Sequence, residues 1–250
     1  MESAPSVTAC LVIIGNEILS GRTQDANLAW IAQALNGIGI QMREARVVPD
    51  DEAEIIAAIN AVRVRYDYVF TTGGIGPTHD DITAPCIARA FGLKFGRNAE
   101  AERRLVAYYP PDKLNDARLR MADTPEGAEL IDNPVSAAPG FRVENVYVLP
   151  GVPRIMQAMF DGLKGKLAGG ATVLSRTVVV FFPEGEIAKP LAEVQERHPA
   201  VEIGSYPFMR FNQFGTSLVF RGTDRAALDA AVADLLAWTA ANGVGTEEPL

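Results

Sequence analysis

The chain has 250 residues, 48% hydrophobic and 22% charged, enough to fill one large core or a medium core with a small satellite. A net charge of -8 and an isoelectric point near 4.9 exclude a binder of DNA or RNA, which needs clustered Lys and Arg to neutralise phosphates. Met1–Ser6 lack the basic start and apolar centre of a secretion signal and no apolar run approaches a membrane span, so a cytoplasmic protein with no membrane partner is expected.

Thr8–Ile14 is a continuous apolar run, the signature of a central parallel strand covered on both faces. Ala26–Leu35 has helical spacing through Leu28, Ile31, Ala32 and Leu35. Ile38–Val48 reads as the next strand and Asp51–Val64 as a helix through Ile55, Ile56, Ile59 and Val62. Asp51 with Glu54 three residues on accounts for capping that helix, which leaves Asp50 without a structural duty. Tyr68–Thr72 is a third strand, running into Gly73-Gly74-Ile75-Gly76-Pro77-Thr78-His79-Asp80-Asp81 and an apparent helix start.

That glycine loop is the most informative stretch. Glycines let successive N–H groups face phosphate oxygens near a helix N-terminus, so Thr72, Gly73, Gly74, Gly76, Pro77 and Thr78 are candidate contacts for a phosphorylated small ligand. Asp80 and Asp81 suit either a divalent metal bridging to phosphate or the first turn of the helix, where a carboxylate opposes the macrodipole.

Ala99–Tyr109 and Asp112–Met121 read as helices interrupted by Pro110-Pro111, and Ala128–Asn133 as a short strand. A loop from Asn133 to Phe141 precedes a hairpin over Arg142–Leu149, turned at Glu144-Asn145. Pro150-Gly151-Val152-Pro153 then opens a helix at about Arg154. The pattern changes after Gly169-Gly170. Thr172–Phe182, Glu184–Arg197, Val201–Tyr206, Thr216–Arg221 and Asp224–Thr239 give a βαββα order.

The expected fold is α/β, a three-layer α/β/α mostly parallel doubly wound sheet over residues 1–170, with a small α+β domain over 171–250. Loops after the first three strands then meet outside the carboxyl edge of the sheet, where ligands of open α/β sheets bind. Cys10 and Cys86 have no metal-ligand spacing and are expected as buried thiols, and His198 beside Pro199 is expected at the surface. Neither a P-loop, a Rossmann fingerprint nor a nucleophile elbow is present.

The ordered set Gly15-Asn16-Glu17-Ile18-Leu19-Ser20-Gly21, Asp25, Asn27, Pro49-Asp50, Thr72 to Thr83, Asn133, Ala138-Pro139-Gly140 and Leu149-Pro150-Gly151-Val152-Pro153 resembles the molybdopterin-binding (MoaB/Mog-like) domain in its CinA-like branch, over about residues 7 to 168. The segment from about 172 resembles the small domain that follows it there. The nicotinamide-nucleotide amidase domain of full CinA is not expected in this sequence, and its activity is not carried over.

The resemblance implies two related chemistries. One binds the pterin phosphate and adenylylates it, using aspartates at Asp50 and Asp81. The other is hydrolysis of a nucleotide pyrophosphate such as ADP-ribose or FAD with a divalent metal, cobalt, manganese or magnesium. The expected mechanism places Gly74 and Gly76 N–H groups on a phosphate and Asp50 and Asp81 on the metal, with Asp80 or His79 positioning water or metal. Asn16, Glu17, Gly21, Asp25, Pro139, Gly140 and Gly151 complete the expected ligand site. A non-catalytic module that binds molybdopterin or a nucleotide is the competing expectation. A homo-oligomer is also expected, dimer or trimer left open.

Overall fold

A computed structural model describes residues 7–210 and 213–247, and the chain divides into two compact units, 1–170 and 171–250. The first unit runs β1 Val7–Ile14, α1 Asn16–Leu19, α2 Asn27–Asn36, β2 Ile40–Val48, α3 Glu52–Arg63, β3 Tyr68–Thr72 and α4 Thr83–Ala90. It continues β4 Phe95–Arg97, α5 Ala99–Tyr108, α6 Asp116–Leu119, a 3-10 turn Arg120–Ala122, β5 Asp123–Pro125, β6 Glu129–Ile131, β7 Gly140–Val143, β8 Val146–Leu149 and α7 Pro153–Leu163.

Six strands form one sheet in the order β2-β1-β3-β8-β7-β6. The first four are mutually parallel, and β7 and β6 are added by antiparallel pairings, as the mostly parallel expectation requires. Successive residues of a strand point to opposite faces, and here both faces are covered. Leu11, Ile13, Phe70 and Leu149 pack under α2 and α7 with Ile31, Leu35, Met156 and Phe160. Val12, Ile14, Val69 and Val148 pack under α3 and α4 with Ile55, Ile59 and Ile87. Each fully buried Leu, Ile or Phe of these layers contributes roughly 1.5–3 kcal/mol relative to exposure.

Between Ala9 and Cys10 the β1–β2 register slips, so that Ala9 opposes Met42 while Cys10 opposes Glu44, and Arg43 is a bulge. Asp51 caps α3 by accepting the N–H groups of Ala53 and Glu54, as its spacing predicts. The β7–β8 hairpin turns at Glu144-Asn145, with Glu144 at φ 50° and Asn145 Nδ2 donating to the carbonyls of Arg63 and Tyr66.

The middle of the first unit departs from expectation. The helix read over Asp112–Met121 is a single turn, α6, because the chain leaves Pro110 in a turn and Asn115 caps only from Arg118 N–H. The short antiparallel pair β4–β5 was not anticipated; three-residue strands are too short to display alternation.

The second unit is β9 Leu174–Val180, α8 Glu184–Arg197, β10 Glu202–Arg210, β11 Gln213–Gly222, α9 Arg225–Ala241 and β12 Thr246–Glu247, its sheet ordered β10-β11-β9-β12. Its core gathers Val178, Val180, Ile187, Leu218, Phe220, Leu228, Val232 and Leu235. β10 runs past Pro207, beyond the predicted end at Tyr206, because it is an edge strand where a missing N–H is tolerated. β12 adds a strand to the βαββα reading. His198 is not a free surface residue: its side chain is 18% exposed and Nε2 lies 2.9 Å from Asp234 Oδ2.

Candidate functional site

The sheet order places β1 between β2 and β3, and the chain moves from the α2 layer to the α3–α4 layer at that point. The crevice between the carboxyl ends of β1 and β3 is therefore the topological switch point, flanked by Gly15-Asn16 and by Gly73 to Asp81.

Each glycine of the second loop has a local cause. Gly73, at φ 103°, turns where a Cβ would overlap the Ile14 carbonyl, and Gly74, at φ 66°, where a Cβ would overlap the Thr83 hydroxyl. A Cβ on Gly76 would lie 2.7 Å from Asp81 Oδ2. Thr83 ties the loop from below, donating its hydroxyl to Gly73 O at 3.0 Å and its N–H to Gly74 O at 2.9 Å. The helix begins at Thr83 rather than at the aspartates, so neither Asp80 nor Asp81 serves as its cap.

Asp81 turns back into the loop. Its Oδ1 accepts Gly76 N–H at 2.7 Å, and its Oδ2 accepts Thr78 N–H at 2.8 Å and the Thr78 hydroxyl at 2.5 Å. This corrects the expectation that Gly76 N–H holds a phosphate, because that donor is already spent. The amides of Gly74 and Ile75 make no hydrogen bond among the described residues. The exposed Asp80 carboxyl is held below the usual carboxylate range, first by Thr78, then by its own N–H and, weakly, by His79.

A cavity of about 170 Å³ opens beside this loop, lined by Gly74 to Gly76, Thr78, His79 and Asp81 on one side. Phe95, Arg120, Met121 and Asp123 form a second wall, and Ala84, Pro85, Pro139 and Phe141 complete the lining. Arg120 Nη2 donates to Pro77 O at 3.3 Å, so the two walls touch. Arg120 and Phe95 escaped the sequence reading, since they sit in the β4–β5 insertion, which carries no motif. Gly140 lies buried in β7, where a Cβ would overlap the Val148 carbonyl, so its smallness serves packing.

The other candidates gather around the β1 loop. Asp50 acquires the structural duty its sequence context lacked: its Oδ2 accepts Asn16 N–H at 2.8 Å, joining the loops after β2 and β1. Asp25 Oδ1 accepts Leu28 N–H and so serves the start of α2. Glu17 folds its carboxylate over Gly15, and Gly21 is an exposed turn residue at φ 73°. Asn27 donates Nδ2 to Gly151 O at 2.9 Å, and Gly151 abuts Gly73. Asn27 Oδ1 and the hydroxyls of Thr71 and Thr72 are buried with no hydrogen-bond partner among the described residues.

Asp81 lines the cavity and Asp50 does not. With β1 between their strands, the two loops leave the sheet about 10 Å apart, two strand spacings. Among the described residues no group of three or more His, Cys, Asp or Glu is placed to hold a metal ion. No helix among them is long and apolar enough to cross a membrane.

Comparison with known proteins places the chain among relatives. A protein of Archaeoglobus fulgidus is 36% identical over 222 residues, covering 89% of this chain and 93% of its own. A CinA-like protein of Desulfosudis oleivorans is 36% identical over 207 residues, 78% of this chain and 50% of its own. The probable FAD synthase of Caenorhabditis elegans is 31% identical over 256 residues, 91% of this chain and 49% of its own. This chain thus spans about half the length of those last two. A crystal structure of the protein CinA, of unknown function, from Thermoplasma acidophilum superposes with a TM-score of 0.61 at 36% identity, over 64% of this chain and 98% of that one. Residues 172–247 match the middle domain of FAD synthase. Residues 10–168 match the probable molybdopterin binding domain, and the chain belongs to that family, in its CinA-like branch.

Proposed function

We propose that this chain binds a nucleotide pyrophosphate of the ADP-ribose or FAD class at the glycine-loop cavity and hydrolyses it with a divalent metal. The observation that carries the reading is the cavity itself, which is lined together by Gly74 and Ile75, whose amides are unspent, by Arg120 and by Asp81. The likeness of residues 172–247 to a domain of FAD synthase favours a nucleotide over a free pterin.

The donor set suits a metal held jointly with substrate. A carboxylate offers about four acceptor sites, and Asp81 spends three on Gly76 and Thr78, leaving one on Oδ1. Magnesium is commonly held by one or two carboxylates plus substrate phosphates, so Asp81 would hold it with the pyrophosphate oxygens, while Asp50, outside the cavity, braces the Asn16 loop. Such an ion would polarise the phosphorus–oxygen bonds and neutralise developing charge. The chain's own part is positional: Gly74 and Ile75 amides orient one phosphate, Thr78 holds Asp81 in place, and the exposed Asp80 and His79 stand beside the path of entering water.

The test is release of AMP from ADP-ribose or FAD, with and without magnesium, manganese or cobalt. Metal-dependent release that falls about tenfold or more in Asp81→Asn, equivalent to ~1.4 kcal/mol of barrier, is the expected result. A second reading is favoured by the structural use of Asp81: a module that binds a nucleotide or molybdopterin without turnover. It prevails if wild type releases no nucleotide while these ligands still raise its melting temperature. Formation of an adenylylated pterin from molybdopterin and ATP would instead support adenylylation.

A further inference from the structure

We propose that Arg120 and Phe95 form a two-point clamp across the cavity, Arg120 taking a phosphate of the ligand and Phe95 receiving its planar ring. The inference rests on the nucleotide-binding reading above and names what selects the ligand at that site.

Arg120 lacks the carboxylate partner that Arg97, Arg103 and Arg104 each have. Arg97 pairs with Asp123 at 2.7 Å and Glu102 at 2.9 Å, Arg104 with Glu100 and Asp132, and Arg103 with Glu100. Arg118 lies over the Tyr109 ring. Arg120 makes no ion pair among the described residues, and its one hydrogen bond goes to a neutral carbonyl, Pro77 O. A guanidinium carries about five N–H donors in a planar fork, so about four remain for an anion.

The position is held from behind. Arg120 opens a turn whose Ala122 is buried with Ala101 and Leu105, and Ala122 O accepts Asn98 N–H at 2.9 Å. Asp123, the acid on the same wall, is neutralised by Arg97. Asp81 spends three of its about four acceptor sites on its own loop. The remaining charge complementarity is therefore a fixed cation above two unspent amides, which is the chemistry of a phosphate oxyanion.

Phe95 supplies the second point. It is 43% exposed on β4 yet lines the cavity with Met121 and Phe141. An aromatic ring left half bare in a concave wall has apolar area still to bury. A cavity of 150 Å³ accepts a benzene ring, so about 170 Å³ seats the planar ring against Phe95 while the exposed Arg120 takes the phosphate at its margin. A whole dinucleotide exceeds it, and the clamp fixes one end while the remainder extends along the open switch-point crevice.

The test is calorimetric titration of the full chain with ADP-ribose, AMP and adenosine, using wild type, Arg120→Gln, Arg120→Lys and Phe95→Leu. Arg120→Gln should weaken ADP-ribose and AMP about tenfold or more and leave adenosine unchanged, with partial recovery in Arg120→Lys. Phe95→Leu should weaken all three by similar factors. Both side chains are exposed enough that melting temperatures should hold, and that measurement accompanies each titration. Wild-type binding with unchanged AMP affinity in Arg120→Gln, or unchanged affinities in Phe95→Leu, overturns the clamp and leaves the site reading intact. No binding of any nucleotide by wild type removes both.

Discussion

Asp81 accepts the amide hydrogen of Gly76 at 2.7 Å from five residues further along the chain. The loop thereby carries an internal anion where a glycine turn of this kind would otherwise receive one from outside. Asp81 organises the loop before it meets any ligand.

Removing that carboxylate strands two backbone donors. Asp81→Ala should destabilise the first unit by about 1.5–3 kcal/mol, the range for hydrogen bonds to a charged group. Asp81→Asn, which keeps one acceptor oxygen, should lose less. Urea denaturation reads both, and equal stability of Asp81→Ala and wild type would show that the loop is held by Thr83 alone.

Two glycines separate backbone strain from close approach. Gly92 has φ 65° with open space around its missing Cβ, so Gly92→Ala should cost only the left-handed penalty of roughly 1–2 kcal/mol. Gly73 combines φ 103° with the Ile14 carbonyl in the space a Cβ would need. Gly73→Ala should cost distinctly more and also disturb the end of β1. Comparing the two melting temperatures checks this; similar shifts would mean that β1 yields freely.

Glu44 and Tyr66 set opposite ends of the pH–stability profile. Hydrogen bonds from the Tyr66 hydroxyl at 2.6 Å and from Arg46 at 2.5 Å, with Arg65 nearby at 3.3 Å, hold the Glu44 carboxyl below its ordinary range. Its stabilisation is complete above the unfolded value and is lost as pH falls through the lower folded one. The same bond to Glu44 raises Tyr66, so that contribution is present below the ordinary tyrosine value and is lost as pH rises through the higher folded one. Glu44→Gln should flatten the acid limb of a Tm–pH series and Tyr66→Phe the alkaline limb. Unaltered limbs would place the pH dependence elsewhere.

The layers were legible because long apolar runs and helical spacings report burial directly: β1, β3 and α3 fall within a residue or two of their predicted ends. The Asp51 cap was legible because its cause is local. Arg120 and Phe95 were not, since they reach the glycine loop through an insertion folded on a small core of its own, Ala101, Leu105 and Ala122. The amide of Gly76 was misread for a related reason: composition shows that a donor exists, while only the fold shows who accepts it.

The bulge at Arg43 reaches further than its one residue. Before it, Ile40 and Met42 turn toward the α2–α7 layer; after it, Val48 turns toward α3 and α4. One inserted residue reverses the parity of the strand, so a single edge strand contributes to both cores in sequence. It also sets the end of β2 back by one step, about 3.3 Å, relative to β1. That step brings Asp50 level with Asn16. The alignment of the switch-point crevice is thus metered at the far end of the sheet, by a miscount of one.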